Sequence, residues 1–155
     1  MADTVEQRTL SLSGARRVLD AAIAEAERAG LHVSVAVLGR DGQLKAFASM
    51  DGASVLSTET ARKKALTVLK VGRATNEFAA ELKAEMADEP ELFHGMLAMD
   101  GIATFGGGVP ITVGGQMVGA VAVSGASSVQ DEEIADKAAK VLQSERSFGG
   151  GNDGD

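Results

Sequence analysis

The chain has 155 residues, 45% of them hydrophobic, no cysteine and a formal charge of −7. That length and apolar content suit one globular domain with a real core, and the missing cysteines exclude disulfides, thiolate metal sites and a cysteine nucleophile. Negative charge opposes a phosphate backbone, and five Phe with no Tyr or Trp leave little to stack bases on, so nucleic acid is not an expected partner.

The start, MADTVEQRTL, has no basic segment followed by an apolar run, and no stretch approaches the ~20 apolar residues of a membrane span. A soluble cytoplasmic protein with no membrane partner is the expectation. Residues 1–8 read as a polar, flexible terminus. From Ser13, apolar Ala15, Val18, Leu19, Ala22, Ile23 and Ala26 recur at helical spacing, with Ser11 or Ser13 as a cap and Gly30 as a stop.

Val33 to Leu38 and Gln43 to Ser49 read as paired strands around an Asp41-Gly42 turn. In the first, Val33, Val35 and Val37 share one face; the smaller Ser34 and Ala36 share the other with Leu38, so a helix can lie close there. MDGAS (50–54) leads into a helix whose stripe is Ala61, Ala65, Val68 and Leu69, weakened at Gly72. Thr75 offers a cap for a further helix burying Phe78, Ala79 and Leu82. Asp88-Glu89-Pro90-Glu91 has a capping-box arrangement before a short helix carrying Leu92, Phe93 and Leu97.

Val109 to Val113 and Gln116 to Val123 are β-branched runs separated only by Gly114-Gly115, a hairpin with a primed turn. The second run is apolar almost throughout, which marks a central strand covered on both faces. Ser127 or Ser128 then caps a last helix, with Asp131, Glu132 and Glu133 favoured by its dipole and Ile134, Ala138, Val141 and Leu142 buried. The domain spans residues 9–143, and 144–155 read as a flexible tail. Hairpins make the sheet antiparallel and helices must cover it, so the fold class is α+β.

Candidate chemistry is sparse. Gly106-Gly107-Gly108 lacks the GxxxxGK[ST] pattern and precedes a strand, so a hinge is the leading reading, with an anion site on its N–H groups as the other. His94, flanked by Phe93 and Gly95 with Met96 and Met99 nearby, can act as acid, base or metal ligand, yet no HxxxH or HxxE companion accompanies it. Glu85/Asp88 and Asp88/Glu91 have the spacing for a hard cation, but capping and solvation explain them as well. Arg62, Lys63 and Lys64 read as a solvated helix face of which one member can bind a carboxylate. Asp51 reads as a cap-region anion or a site carboxylate.

The segments LSLSGARRVLDAAIAEAERAG, DGQLKAFASMDGAS, ETARKKALTV and GGGVPITVGGQMVGAVAVSGASSVQDEEIADKA together resemble the GlcG/HbpS family, which includes the C-terminal domain of PduO-type adenosyltransferases. The resemblance covers roughly residues 9–143. It implies a profilin-like antiparallel sheet flanked by helices, homo-oligomers (octamers in some members), and haem binding or haem degradation in the best-known members.

Carried onto matching positions, it implies a ligand pocket at Met50 to Ala53, Lys64, Gly107, Gly108, Val109 and Pro110, and Ser124 to Ala126. Ser49 departs from it, because the family commonly has arginine before MDGA. Two functions from different classes follow. One is a homo-oligomeric protein that binds haem or a related small ligand, with His94 the favoured ligand to haem iron. The other is a catabolic lyase, isomerase or hydrolase in which His94 is the acid/base and Arg62, Lys64 or N–H groups near Gly107 hold a carboxylate. A third reading makes the chain an assembly module without chemistry.

Overall fold

Two glycine turns set the sheet. Gly42 at φ +85°, and Gly114 and Gly115 at +62° and +76°, take the positive φ that tight hairpins require. They close β1 (Ser34–Gly39) onto β2 (Leu44–Ser49) and β3 (Gly108–Val113) onto β4 (Gln116–Ser124). The hairpins join through β1 and β4, antiparallel from Ser34↔Ser124 to Gly39↔Gly119, giving the order β2-β1-β4-β3. β1 is buried along its whole length and β4 from Val118 onward, as expected of central strands.

The computed structural model describes residues 2–143, so the tail expected to be flexible lies outside the described residues. Among those described, five α-helices accompany the sheet: α1 (Leu12–Arg28), α2 (Val55–Val71), α3 (Thr75–Glu85), α4 (Pro90–Ala98) and α5 (Ser128–Ala139). No helix among them is long and apolar enough to cross a membrane. The architecture is the expected α+β class.

The period-2 pattern of β1 divides the core. Val33, Val35 and Val37, with Val109, Ile111, Val121 and Val123, face α1 and α5 through Ala15, Val18, Ala22, Ile134 and Ala138. On the opposite face Ala36, Ala120 and Ala122 meet Ala61, Ala65 and Val68 of α2. Small residues there let the helix lie close: a Cβ at Gly108 would stand 2.8 Å from the Lys64 carbonyl oxygen. A separate cluster of Phe78, Leu82 and Ile102, with Phe93 and Met96 beside it, holds α3 against α4.

Three local expectations are corrected. The α2 cap is Ser54, whose hydroxyl accepts the Ser57 N–H, and not Asp51, which sits exposed in the preceding turn. Thr75 is the first residue of α3 rather than its cap, and its buried hydroxyl accepts the Gly108 N–H instead. The Asp88–Glu91 segment makes no capping box: Glu89 precedes α4 without a side-chain cap bond, and Pro90 begins the helix because a missing N–H costs nothing there. Ser11 caps α1, and Ser127 forms a full capping box with Gln130 on α5.

Candidate functional site

The α2 and α5 helices begin at the same place, on either side of the end of β4. Between them opens a cleft of about 260 Å³ lined by Ser54, Leu56, Ser57, Thr60, Lys64, Phe105, Ser124, Gly125, Ala126, Ser128 and Asp131. Its chemistry centres on Lys64, which projects from α2 with only 1% of its side chain exposed. The ammonium donates to Asp131 Oδ2 at 3.0 Å and to the Val123 carbonyl at 2.9 Å. Asp131 Oδ1 accepts the Ala126 N–H at 3.0 Å, so both carboxylate oxygens are engaged. Burial pushes the Lys64 ammonium below the usual lysine range, and attraction and hydrogen bonding to Asp131 pull it partly back.

Ser57, Thr60 and Ser124 are among the cleft's lining residues, and their hydroxyls are paired within the protein. Ser49, Ser34 and Ser57 are joined in a chain at 2.8 Å per step, and Thr60 is bonded to Ser124. The Phe105 ring lies 5.2 Å from the Lys64 nitrogen and is 43% exposed, so an aromatic face covers the ammonium at the mouth. Gly107, at φ +133°, passes so close that a Cβ there would stand 2.5 Å from Lys64 Nζ and 2.6 Å from the Val123 carbonyl oxygen. The glycine hinge is explained by this close backbone approach.

Lys64, Ser124 and Gly125 come together in this cleft, with Gly107 against the lysine. Met50 packs on the α1–α5 side of the core, and Asp51 is exposed. Gly108 is buried under α2, Val109 lies in the core opposite Val121, and Pro110 pairs with Ala120 within the sheet. Arg62 lines a different recess with Glu59, Lys63 and Asp100, so the basic run is divided: Lys64 is internal while Arg62 stays exposed. Sequence reasoning missed the role of Asp131, which it read only as an acid favoured by the helix dipole. The signal available was its place in the first turn of a capped helix directly after the SGA loop.

His94 is exposed on α4, its ring edge-on to Phe93 at 5.6 Å, and is not among the residues lining the Lys64 cleft. The same helix borders a larger concavity. Ala79, Ala80, Leu82, Lys83 and Met86 of α3 and its end, with Phe93 and Leu97 of α4, line an apolar trough of about 640 Å³. The acid/base, guanidinium and lysine imagined for an enzyme are therefore distributed over three places. Glu85, Asp88 and Glu91 are exposed, and among the described residues no group of three or more His, Asp or Glu is placed to hold a metal ion.

A four-stranded antiparallel sheet with α1 and α5 on one face and α2 on the other defines an α+β protein. The model of the haem degrading protein HbpS-like family matches residues 10–140, and the chain belongs to that family. Its fold is similar to that of Klebsiella pneumoniae protein ORFY, with TM-score 0.82 and 27% identity, covering 92% of this chain and 97% of that one. HbpS superposes with TM-score 0.77 at 34% identity over 90% of this chain and 94% of its own. PduOC in its complex with heme superposes with TM-score 0.69 at 28% identity, over 84% of this chain and 93% of that one.

Proposed function

We propose that this chain is a haem-binding protein that places the macrocycle in the trough between α3 and α4. The observation that carries this is the trough itself: about 640 Å³ of largely apolar space lined by Phe93 and Leu97 of α4, the helix that also carries the exposed His94. Its size falls within the ~300–1,000 Å³ range of small-molecule sites, whereas the Lys64 cleft is too small for a macrocycle. The residues present suit the group chemically. Phe93, Leu97, Leu82 and Met86 supply apolar contact, Lys83 offers a cation to a propionate, and His94, one residue from Phe93 and three from Leu97, offers an imidazole to iron.

Bound haem would supply an iron centre capable of oxygen chemistry, and haem degradation is part of this proposal. The chain's own contribution is to shelter the ring from water and to hold an imidazole at its edge. Family membership supports the reading, as does a relative whose structure holds heme. Self-assembly in the cytoplasm, up to an octamer, belongs to the same proposal. Val55, Leu56 and Val129, 91%, 69% and 64% exposed at the starts of α2 and α5, are apolar surface suited to a second copy of this chain.

The test is a haemin titration followed at the Soret band. Saturable binding is expected, with a shifted band and at least tenfold weaker affinity in His94→Ala, and weaker binding again in Leu97→Asp. An unsaturable titration, or one unchanged in both variants, would overturn the assignment. Light scattering after size exclusion reads the assembly state separately.

A further inference from the structure

We propose that α4 is a lid: it opens and closes over the α3–α4 trough while the sheet and its flanking helices stay folded, and apolar cargo in the trough holds it shut. The lid stands on packing alone; haem as its cargo rests on the function proposed above. Between Leu82 and Ile102, both buried, no residue is buried. Within α4 only Leu92, Phe93 and Met96 are even partly covered, and α4 packs against α3. Phe93 and Met96 join Phe78, Leu82 and Ile102 in a cluster separate from both cores of the sheet. With nine residues, no side-chain cap and Gly95 in its middle, α4 falls below the ~12–15 residues at which an isolated helix is marginal in water. Its helical form thus depends on that one cluster, and a segment with so few buried contacts opens locally at less cost than the whole fold.

The downstream end of the segment is fixed. The Thr67 hydroxyl donates to the Gly101 carbonyl at 3.3 Å and accepts the Ala103 N–H at 2.8 Å, while Gly101, at φ +73°, takes the bend. Upstream, residues 83–91 are exposed throughout, and the Asp88 and Glu89 N–H groups bond only as far back as Glu85. Opening therefore swings α4 about its Gly101 end by releasing the Phe93 and Met96 contacts, and disturbs neither core. Phe93 and Leu82 belong to the cluster and also line the trough. Met86 and Leu97, each 48% exposed, line it from the end of α3 and from α4. An apolar molecule bridging them buries surface of both helices only while α4 is docked, so binding shifts the lid toward its closed state. His94 follows Phe93 on the same helix, so its access to bound iron changes with the lid.

The experiment is hydrogen exchange of the intact protein with and without haemin, read by mass spectrometry on peptides covering α4 and, for the core, α2 and β4. In the free protein the α4 amides should exchange about a hundredfold faster than those of the core. Phe93→Ala should speed them by roughly tenfold more and leave the core unchanged, whereas Gly95→Ala, which meets nothing within 4 Å, should slow them several-fold. Saturating haemin should slow the α4 amides by roughly tenfold or more while moving the core little. Exchange of α4 at the core rate, equal acceleration of α4 and core by Phe93→Ala, or haemin that binds saturably without slowing α4 would each overturn the proposal. Haemin that does not bind counts against the haem reading alone, and the free-protein rates with the two variants then decide the lid.

Discussion

Lys64 Nζ and Asp131 Oδ2 meet at 3.0 Å with 1% and 3% of their side chains exposed, tying the middle of α2 to the first turn of α5. The two helices lie on opposite faces of the sheet, so this ion pair clasps the end of β4 from both sides. Removing one partner leaves an uncompensated buried charge, which costs about 3–5 kcal/mol. Asp131→Asn and Lys64→Met should each lower stability by that order in urea unfolding. The double replacement Lys64→Met with Asp131→Leu should recover much of the loss, because an apolar pair of similar volume carries no desolvation penalty. Additive losses in the double variant would show that hydrogen bonds to Val123 and Ala126, rather than the charge pair, carry the stability.

Two glycines should respond to alanine in opposite directions. A Cβ at Gly119 would stand 2.2 Å from the Leu38 carbonyl oxygen of the neighbouring strand, a contact that only backbone movement can relieve. Gly119→Ala should therefore cost ~1–3 kcal/mol, the range for overpacking a tight interior. Gly95, inside α4, meets nothing within 4 Å and has no positive φ, so Gly95→Ala should stabilise the helix by ~0.5–1 kcal/mol through reduced backbone entropy. Amide exchange along α4 and global unfolding would check the pair; a neutral Gly119→Ala would mean that β1 and β4 can separate locally.

Much of the architecture was legible because period and turn chemistry are local. The valine face of β1, the Gly114-Gly115 turn and the unbroken apolar run of β4 fixed two hairpins and identified a central strand. The small Ser34 and Ala36 on the other face of β1 implied that a helix lies close there. Capping was less legible: several hydroxyl and acidic residues precede each helix, and whether Thr75 caps α3 or bonds Gly108 depends on a strand 33 residues away. The site was only half legible for the same reason. A lysine within an Arg-Lys-Lys run looks solvated, and its burial depends on an aspartate 67 residues later. No spacing rule connects them.

The capping box on α5 gives a third prediction. The Ser127 hydroxyl accepts the Gln130 N–H at 3.2 Å, and the Gln130 side chain accepts the Ser127 N–H at 3.1 Å. Ser127→Ala should cost ~1 kcal/mol, within the usual range for losing a cap. Because this turn also carries Asp131 into the cleft, its amide protection should fall before that of α1. Ser127→Asp, which retains an acceptor and suits the dipole, should restore most of the loss; failure of that rescue would assign the effect to the loop instead.

Glu132 supplies the pH-dependent prediction. It is partly buried on α5, accepts a hydrogen bond from Asn76 Nδ2 at 2.6 Å and lies near Asp136, Glu77 and Glu133. Desolvation first, then repulsion from those three carboxylates, raises its pKa above the usual glutamate value, and the Asn76 bond offsets only part. The folded protein thus keeps a proton that the unfolded chain has lost, so stability falls as pH rises from the unfolded value, ~4.3, through the higher folded one. Above that window the full penalty of an ionised Glu132 persists. Glu132→Gln keeps a carbonyl for Asn76 and removes the charge. It should match the parent below the window and become more stable as pH rises through it, by ~0.5 kcal/mol at neutrality, the scale of a like-charge pair on a helix. The same gain on both sides of the window would trace the effect to packing, and a loss at neutral pH would mean that the carboxylate attracts a cation the geometry does not suggest.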